Sequence, residues 1–403
     1  MLKELNKKRL LIVGVILLVF TIGGAAGFLL HQVSRTSVNA QSEQISVEGG
    51  KIENFRKLFV VYDILQQHYV EETDSDNLLT GAIRGMLNSL DDPYTGYLPP
   101  KEYEDMQEDF SGEYSGIGIV ITMRDEQLTI VSPFEGTPGD KAGLEAEDEI
   151  IEIDGVSTEG MTMEDAVDRM KGQAGTEVIL KIRRSREEKN SKEFEVEITR
   201  AEIEVPFVTS EIKDNDIGYI ALSQFIENAG SRVNEEIERL SQEGAQAFVL
   251  DLRNNPGGLL MEASPVASNF LAEGPVVTIK DREQIIRTID LEEGITPTEK
   301  PLVVLVNKGS ASASEIIAGA VQDTERGKIV GTSTFGKGVV QSVVPLADGS
   351  AIKITTARYY TPADRYIHHD GIEPDYEVEI DLETEEDEQL EEGLRILREI
   401  LEK

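Results

Sequence analysis

The chain reads as an α/β protein with a β-rich unit set into it, because three patterns follow one another along the sequence. Helical spacing of apolar residues dominates up to residue 110. Period-two alternation replaces it over 111–200. Beyond Ala201, buried apolar runs alternate with helical segments, the pattern of an α/β core. Within the first stretch, 55–65 and 78–87 are amphipathic helices. Residues 91–97, Asp91-Asp92-Pro93-Tyr94-Thr95-Gly96-Tyr97, form a turn-rich loop, and 103–110 is a further short helix. In the β-rich unit, 117–122, 128–131 and 150–155 are strands. Residues 162–170 form a helix capped by Thr162, and 178–183 with 194–199 form a closing hairpin around a charged loop. The core runs over 201–380. Its strands are 217–222, 247–252 and 302–306, its helices 229–241 and 314–323, and 329–330 and 339–345 continue the sheet. An acidic segment, 381–403, ends in an amphipathic helix over 390–401.

The chain has 403 residues, room for two or three domains, and no cysteine, which excludes disulfides, thiol catalysis and cysteine metal sites. It carries 76 acidic against 39 basic residues, a net charge of -37, and so lacks the basic surface that nucleic-acid binding needs. Residues 10–30 contain no charge and follow Lys3, Lys7, Lys8 and Arg9. That length and basic flank predict a membrane-spanning helix with a short cytoplasmic tail, 1–9, and an N-inside orientation. The apolar region of a cleaved signal peptide is usually shorter. Residues 31–50 read as a polar linker and 51–110 as an N-terminal helical region, with the folded body outside the cytoplasm.

Three segments carry chemistry. The apolar strand 302–306 runs into Asn307-Lys308-Gly309-Ser310-Ala311-Ser312-Ala313-Ser314, where a helix begins. A serine there gains from the free N–H groups of a helix N-terminus, although serine is also a favoured N-cap. The spacing does not choose among Ser310, Ser312 and Ser314. Lys337 lies between Gly336 and Gly338, which let the backbone approach closely and aim the side chain inward. A lysine is a poor base near neutrality, and burial lowers its pKa, so a buried Lys337 would be a candidate general base. The loop lacks the glycine spacing of a phosphate-binding P-loop. Asp251-Leu252-Arg253-Asn254-Asn255-Pro256-Gly257-Gly258 follows a third buried strand, and its glycines could present N–H groups to an anion.

Together these segments, with Asp91-Asp92-Pro93-Tyr94-Thr95, Gln341 and Gly371-Ile372-Glu373-Pro374-Asp375, resemble the carboxy-terminal processing peptidases, also called tail-specific proteases, over about residues 55–375. The resemblance implies a crotonase-like protease core with an inserted PDZ domain, no cofactor and no metal. It implies Ser312 as nucleophile, Lys337 as general base and Gln341 as the residue that orients the lysine. The N–H groups of Gly258 and Ala313 would form the oxyanion hole. Gly116-Ile117-Gly118-Ile119 resembles a PDZ carboxylate-binding loop, which would hold the unstructured C-terminal tail of a protein or peptide substrate. Lys171 stands where many relatives carry an arginine linked to coupling between the PDZ domain and the active site. Lysine lacks the arginine fork. The resemblance further implies a homodimer through the N-terminal and C-terminal helices, and a resting state in which the dyad is misaligned until a tail or partner binds the PDZ domain. Three other readings compete. One is a Ser-His-Asp hydrolase or metal site at His368, His369 and Asp370. The second is a non-catalytic tail-binding module. The third is an acyl-CoA enzyme on a crotonase-type fold.

Overall fold

A computed structural model describes residues 49–185, 191–282, 284–381, 384 and 386–403, with side chains from residue 55 onward. The expected membrane span, 10–30, lies outside them. Among the described residues no helix is long and apolar enough to cross a membrane. The fold divides into two compact units, one ending at Gly81 and the other running from Ala82 to Lys403.

In the first unit, helix Gly49–His68 begins two residues inside the stretch expected to be linker. Asp74 accepts the N–H groups of Asp76 and Asn77 at 2.8 and 3.0 Å, capping helix Ser75–Asn88. Tyr62 donates to Ser75 Oγ at 2.9 Å. Phe55, Phe59, Val60 and Ile64 are exposed on the first helix.

The second unit is built on a six-stranded sheet in the order Val208–Lys213, Ile217–Leu222, Ala247–Asp251, Leu302–Val306, Lys328–Gly331, Tyr376–Glu377. Only the first pair is antiparallel. Side chains alternate between two buried faces. Ile220, Phe248, Leu250, Val304 and Val306 pack towards helices Ala229–Glu243 and Ala313–Asp323. Ile217, Val249, Val303 and Leu305 pack under Leu394 and Leu397 of helix Glu388–Leu401. A strand covered on both sides needs no polar alternation, which is why 302–306 reads Leu-Val-Val-Leu-Val. The apolar face of the C-terminal helix, expected to seek a second copy, is thus covered largely by its own sheet.

Residues 339–345 do not extend this sheet. Strand Val339–Pro345 turns back through Asp348 and Gly349 onto Ala351–Tyr360, and so short a connection permits only antiparallel pairing. Both belong to a second, antiparallel sheet with Gly96–Leu98, Pro275–Asp281 and Gln284–Asp290.

The β-rich unit is a six-stranded antiparallel sheet around Ile130, Ile150, Ile153, Leu180 and Ile182. Thr162 caps helix Met163–Met170, its hydroxyl accepting Asp165 N–H at 3.1 Å. The chain enters along Glu113–Gly116 and leaves along Ala201–Glu204, paired side by side with Gly116 opposite Ala201. The unit is therefore an insertion in the core.

One ion-pair cluster ties the C-terminal helix to the loop that follows Ala247–Asp251. Arg253 lies 2.6 Å from both Asp251 Oδ2 and Asp387 Oδ1, and its side chain is only 10% exposed. Asp387 also caps the helix by accepting Leu390 N–H at 3.0 Å. Removing one member of a buried cluster leaves uncompensated charge, so Arg253→Ala should cost about 3–5 kcal/mol in urea unfolding. A cost below about 1 kcal/mol, typical of an exposed pair, would contradict this assignment.

Candidate active site

The three serines that the sequence leaves equivalent are sorted by their surroundings. Ser310 donates to Leu252 O at 2.7 Å and Ser314 to Asn255 O at 3.0 Å, and both are fully buried. Their hydroxyls, with Ala311 N–H on Asn255 O at 3.0 Å, bind the turn after Leu302–Val306 to the turn after Ala247–Asp251. Ser312 is the member of the run that lines an open cleft of about 390 Å³. Its backbone sits at φ 55° and ψ -114°, a conformation that costs a side-chain-bearing residue about 1–3 kcal/mol and is characteristic of functional turns.

The glycine pair packs directly on this turn. A methyl group on Gly257 would lie 2.7 Å from Ser312 Cβ and 2.9 Å from Ala313 N. One on Gly258, at φ 143°, would meet Phe225 O at 2.1 Å. Among the described hydrogen bonds, the N–H groups of Gly258 and Ala313 have no acceptor. Gly258 borders the cleft beside Ser312, and Ala313 opens the helix that follows.

Lys337 and Gln341 line the same cleft. Burial pushes the Lys337 ammonium below the ordinary lysine range. Repulsion from Lys353 adds to the effect, and Glu315 opposes it. The ammonium also lies 5.3 Å from the centre of the Tyr94 ring. Gln341 Nε2 donates to Tyr94 O at 2.5 Å. Among the described hydrogen bonds, none joins Lys337 Nζ to Ser312 or to Gln341.

What holds the lysine loop to the serine turn is Glu315, fully buried one turn into the helix. Its Oε1 accepts Thr334 Oγ1 at 2.6 Å and Gly336 N–H at 2.7 Å. Its Oε2 accepts Ser312 N–H at 2.8 Å and Lys337 N–H at 2.9 Å. Tyr359 adds a hydrogen bond to the Lys337 carbonyl. Sequence reasoning missed Glu315, although Ser312-Ala313-Ser314-Glu315 has the spacing of a capping box. Tyr359 and Lys353 carry no local signal, because the second sheet brings them in.

The remaining candidates lie elsewhere. Gly116 ends the entry strand and Ile119 begins strand Ile119–Arg124. Between them, Ile117 O accepts Gly139 N–H at 2.7 Å, and Gly118, at φ 74°, accepts Phe134 N–H at 2.9 Å. Lys171 reaches out of the β-rich unit to Glu108 of helix Pro100–Ser111, at 2.7 Å. His368 Nδ1 accepts Gly338 N–H at 3.3 Å and lines a neighbouring cleft with Asp92 and Tyr366. Among the described residues no cluster of histidines and carboxylates could hold a metal ion.

Comparison with known proteins gives this geometry its class. Residues 216–378 match peptidase family S41, 129–184 match a PDZ domain, and 20–101 match the N-terminal domain of the activating protease CtpB. The chain is 40% identical over 347 residues to a carboxy-terminal-processing protease of Bartonella bacilliformis, spanning 85% of this chain and 79% of that one. It is 37% identical over 329 residues to the carboxy-terminal processing protease CtpA of Bacillus subtilis, spanning 81% and 69%. The fold also resembles that of a solved putative S41 protease from Bacteroides fragilis. The TM-score is 0.52 at 16% identity, over 85% of this chain and 97% of that one. The protein is thus a serine-type peptidase with a PDZ domain. More particularly, the chain belongs to peptidase family S41, among the carboxy-terminal processing proteases.

Replacing Glu315 with Gln turns an acceptor of N–H groups into a side chain that presents its own N–H to them. An unsatisfied buried donor costs about 1–3 kcal/mol, so Glu315→Gln should lower thermal stability and reduce peptidase turnover together. Unchanged turnover in a folded Glu315→Gln protein would show that the lysine loop does not depend on this carboxylate.

Proposed function

We propose that this chain is a serine endopeptidase that cuts extracytoplasmic proteins after its PDZ domain takes hold of their C-terminal tails. In this reading the Lys337 amine removes the Ser312 proton and Ser312 Oγ attacks the peptide carbonyl. The resulting oxyanion is received by the N–H groups of Gly258 and Ala313. The Lys337 ammonium returns the proton to the leaving amine, and water hydrolyses the acyl-enzyme with Lys337 again as base. The observation that carries the reading is that Ser312 and a lysine depressed by burial line one cleft. Gln341, with its amide on Tyr94 O, would turn to the lysine when a tail engages, a resting state that differs from the cutting one. Lys171, paired with Glu108, is suited to pass PDZ occupancy to the core.

The uncharged run 10–30 would anchor the protein in the membrane with the peptidase outside. Recovery of the full chain in the soluble fraction would sink that part. The exposed apolar face of helix Gly49–His68 would join two copies, and a monomeric sedimentation profile at micromolar concentration would sink the dimer.

The deciding assay incubates the chain with a loosely folded reporter that ends in an apolar tail. The parent should cut it, and Ser312→Ala, Lys337→Ala and Lys337→Arg should not, because a guanidinium cannot serve as a base. Losses of about a hundredfold or more are expected, the scale of general-base catalysis. Cutting by Lys337→Ala at the parent's rate would reject the dyad. Tail binding without any cutting by the parent would favour the tail-binding module.

A further inference from the structure

The cleft around Ser312 has a charge unlike that of the rest of the chain. Acidic residues outnumber basic ones by 76 to 39, yet the cleft is lined by two lysines, Lys337 and Lys353, and by no carboxylate. Much of the remaining wall is apolar, including Phe110, Leu259 and Leu260. A surface composed at random from this chain would place acids there.

Lys353 is set rigidly into that wall. It stands on Ala351–Tyr360, paired with Gly96 on one strand and Val343 on another, and it is partly buried. Among the described residues no carboxylate lies within ion-pair distance of its ammonium. By contrast Lys171, Lys181 and Lys280 each have one, and Lys101 has two. Glu315 is occupied by the N–H groups of the serine and lysine turns. Burial and the nearby Lys353 disfavour the charged form of Lys337, whereas Lys353 stands on the wall of the cleft with no ion-pair partner among the described residues. An unpaired ammonium between apolar walls attracts an anion more strongly than one on the open surface, because less water screens it.

We propose that Lys353 is a specificity-determining residue that receives a carboxylate of the bound chain, so that the favoured substrates are apolar segments bearing one carboxylate close to the bond that is cut. This rests on the reading of the Ser312 cleft as the site of cleavage. Two sources supply the group: an Asp or Glu side chain, or the terminal carboxylate of a chain that ends in the cleft. A lysine or arginine at the same substrate position meets repulsion.

The test reads binding without turnover, in the full chain carrying Ser312→Ala. Three fluorescent apolar peptides are titrated by anisotropy: one with a single Glu and an amidated end, one with Gln in its place and an amidated end, and one with Gln and a free end. The Glu peptide should bind about tenfold more tightly than its Gln partner, as a charge-assisted contact gives. That ratio should fall to about one when Lys353→Met is added and return with Lys353→Arg. If the chain terminus is the source, the Lys353-dependent preference appears between the free and amidated Gln peptides instead. A Glu preference that survives Lys353→Met, or equal binding of the two amidated peptides together with a free-end preference that Lys353→Met leaves unchanged, overturns the proposal. Failure of the cleavage reading shows separately, as peptide hydrolysis by the parent that persists in Ser312→Ala.

Discussion

A carboxylate buried without a cation in contact must be satisfied by N–H and O–H donors, and Glu315 takes five of them, four from two separate loops and one from a strand. Two come from the lysine loop backbone, one from the serine turn, one from Thr334 and a longer one, at 3.5 Å, from the Tyr359 hydroxyl. Taking a carboxylate out of water costs several kcal/mol, and these charge-assisted hydrogen bonds are what offsets that cost. The bonds therefore contribute little surplus stability. They contribute position, since neither loop can move without leaving a buried charge unsatisfied. The strained φ of Ser312 and the burial of Lys337 persist because this junction and the core around it define both loops.

The junction depends in turn on where the sheets put their ends. Leu302–Val306 and Ala247–Asp251 are neighbouring parallel strands, so the serine turn and the glycine turn leave the sheet side by side. Ser310 and Ser314 stitch them together, which leaves Ser312 at the cleft. The second sheet supplies the opposite wall, with Gln341, Lys353 and Tyr359 from paired strands. The inserted unit hangs from one two-stranded ribbon and reaches back through Lys171 to Glu108. A family fold is thus joined here to a cleft whose charge opposes that of the whole chain.

Much of this was legible in the residues, and the failures have physical causes. Leu302–Val306 was plain because burial on both faces removes every polar position. Thr162 was plain because a cap acts on its own helix. Period alone could not sort Ser310, Ser312 and Ser314; only their partners on Leu252 and Asn255 do so. Val339–Pro345 reads as a strand from its residues, but an apolar strand does not name its neighbour, and it joins the second sheet. Pro275–Asp281 and Gln284–Asp290 carry no clear strand signal, since Ile285 and Ile286 are both exposed and inward and outward positions do not alternate. Lys353 could not be found locally, since strand pairing across the second sheet sets it opposite Gly96.

The proposed function turns on Lys337 serving as the base for Ser312 across the cleft that both line. The most direct measurement is the titration of Lys337 itself, by carbon-13 NMR of reductively methylated protein, with Lys337→Arg identifying the resonance. The expected resonance titrates below the ordinary lysine range and moves back towards it when Lys353 is replaced by Met, because the like charge is removed. A Lys337 that titrates with the surface lysines near about 10.4 would contradict it.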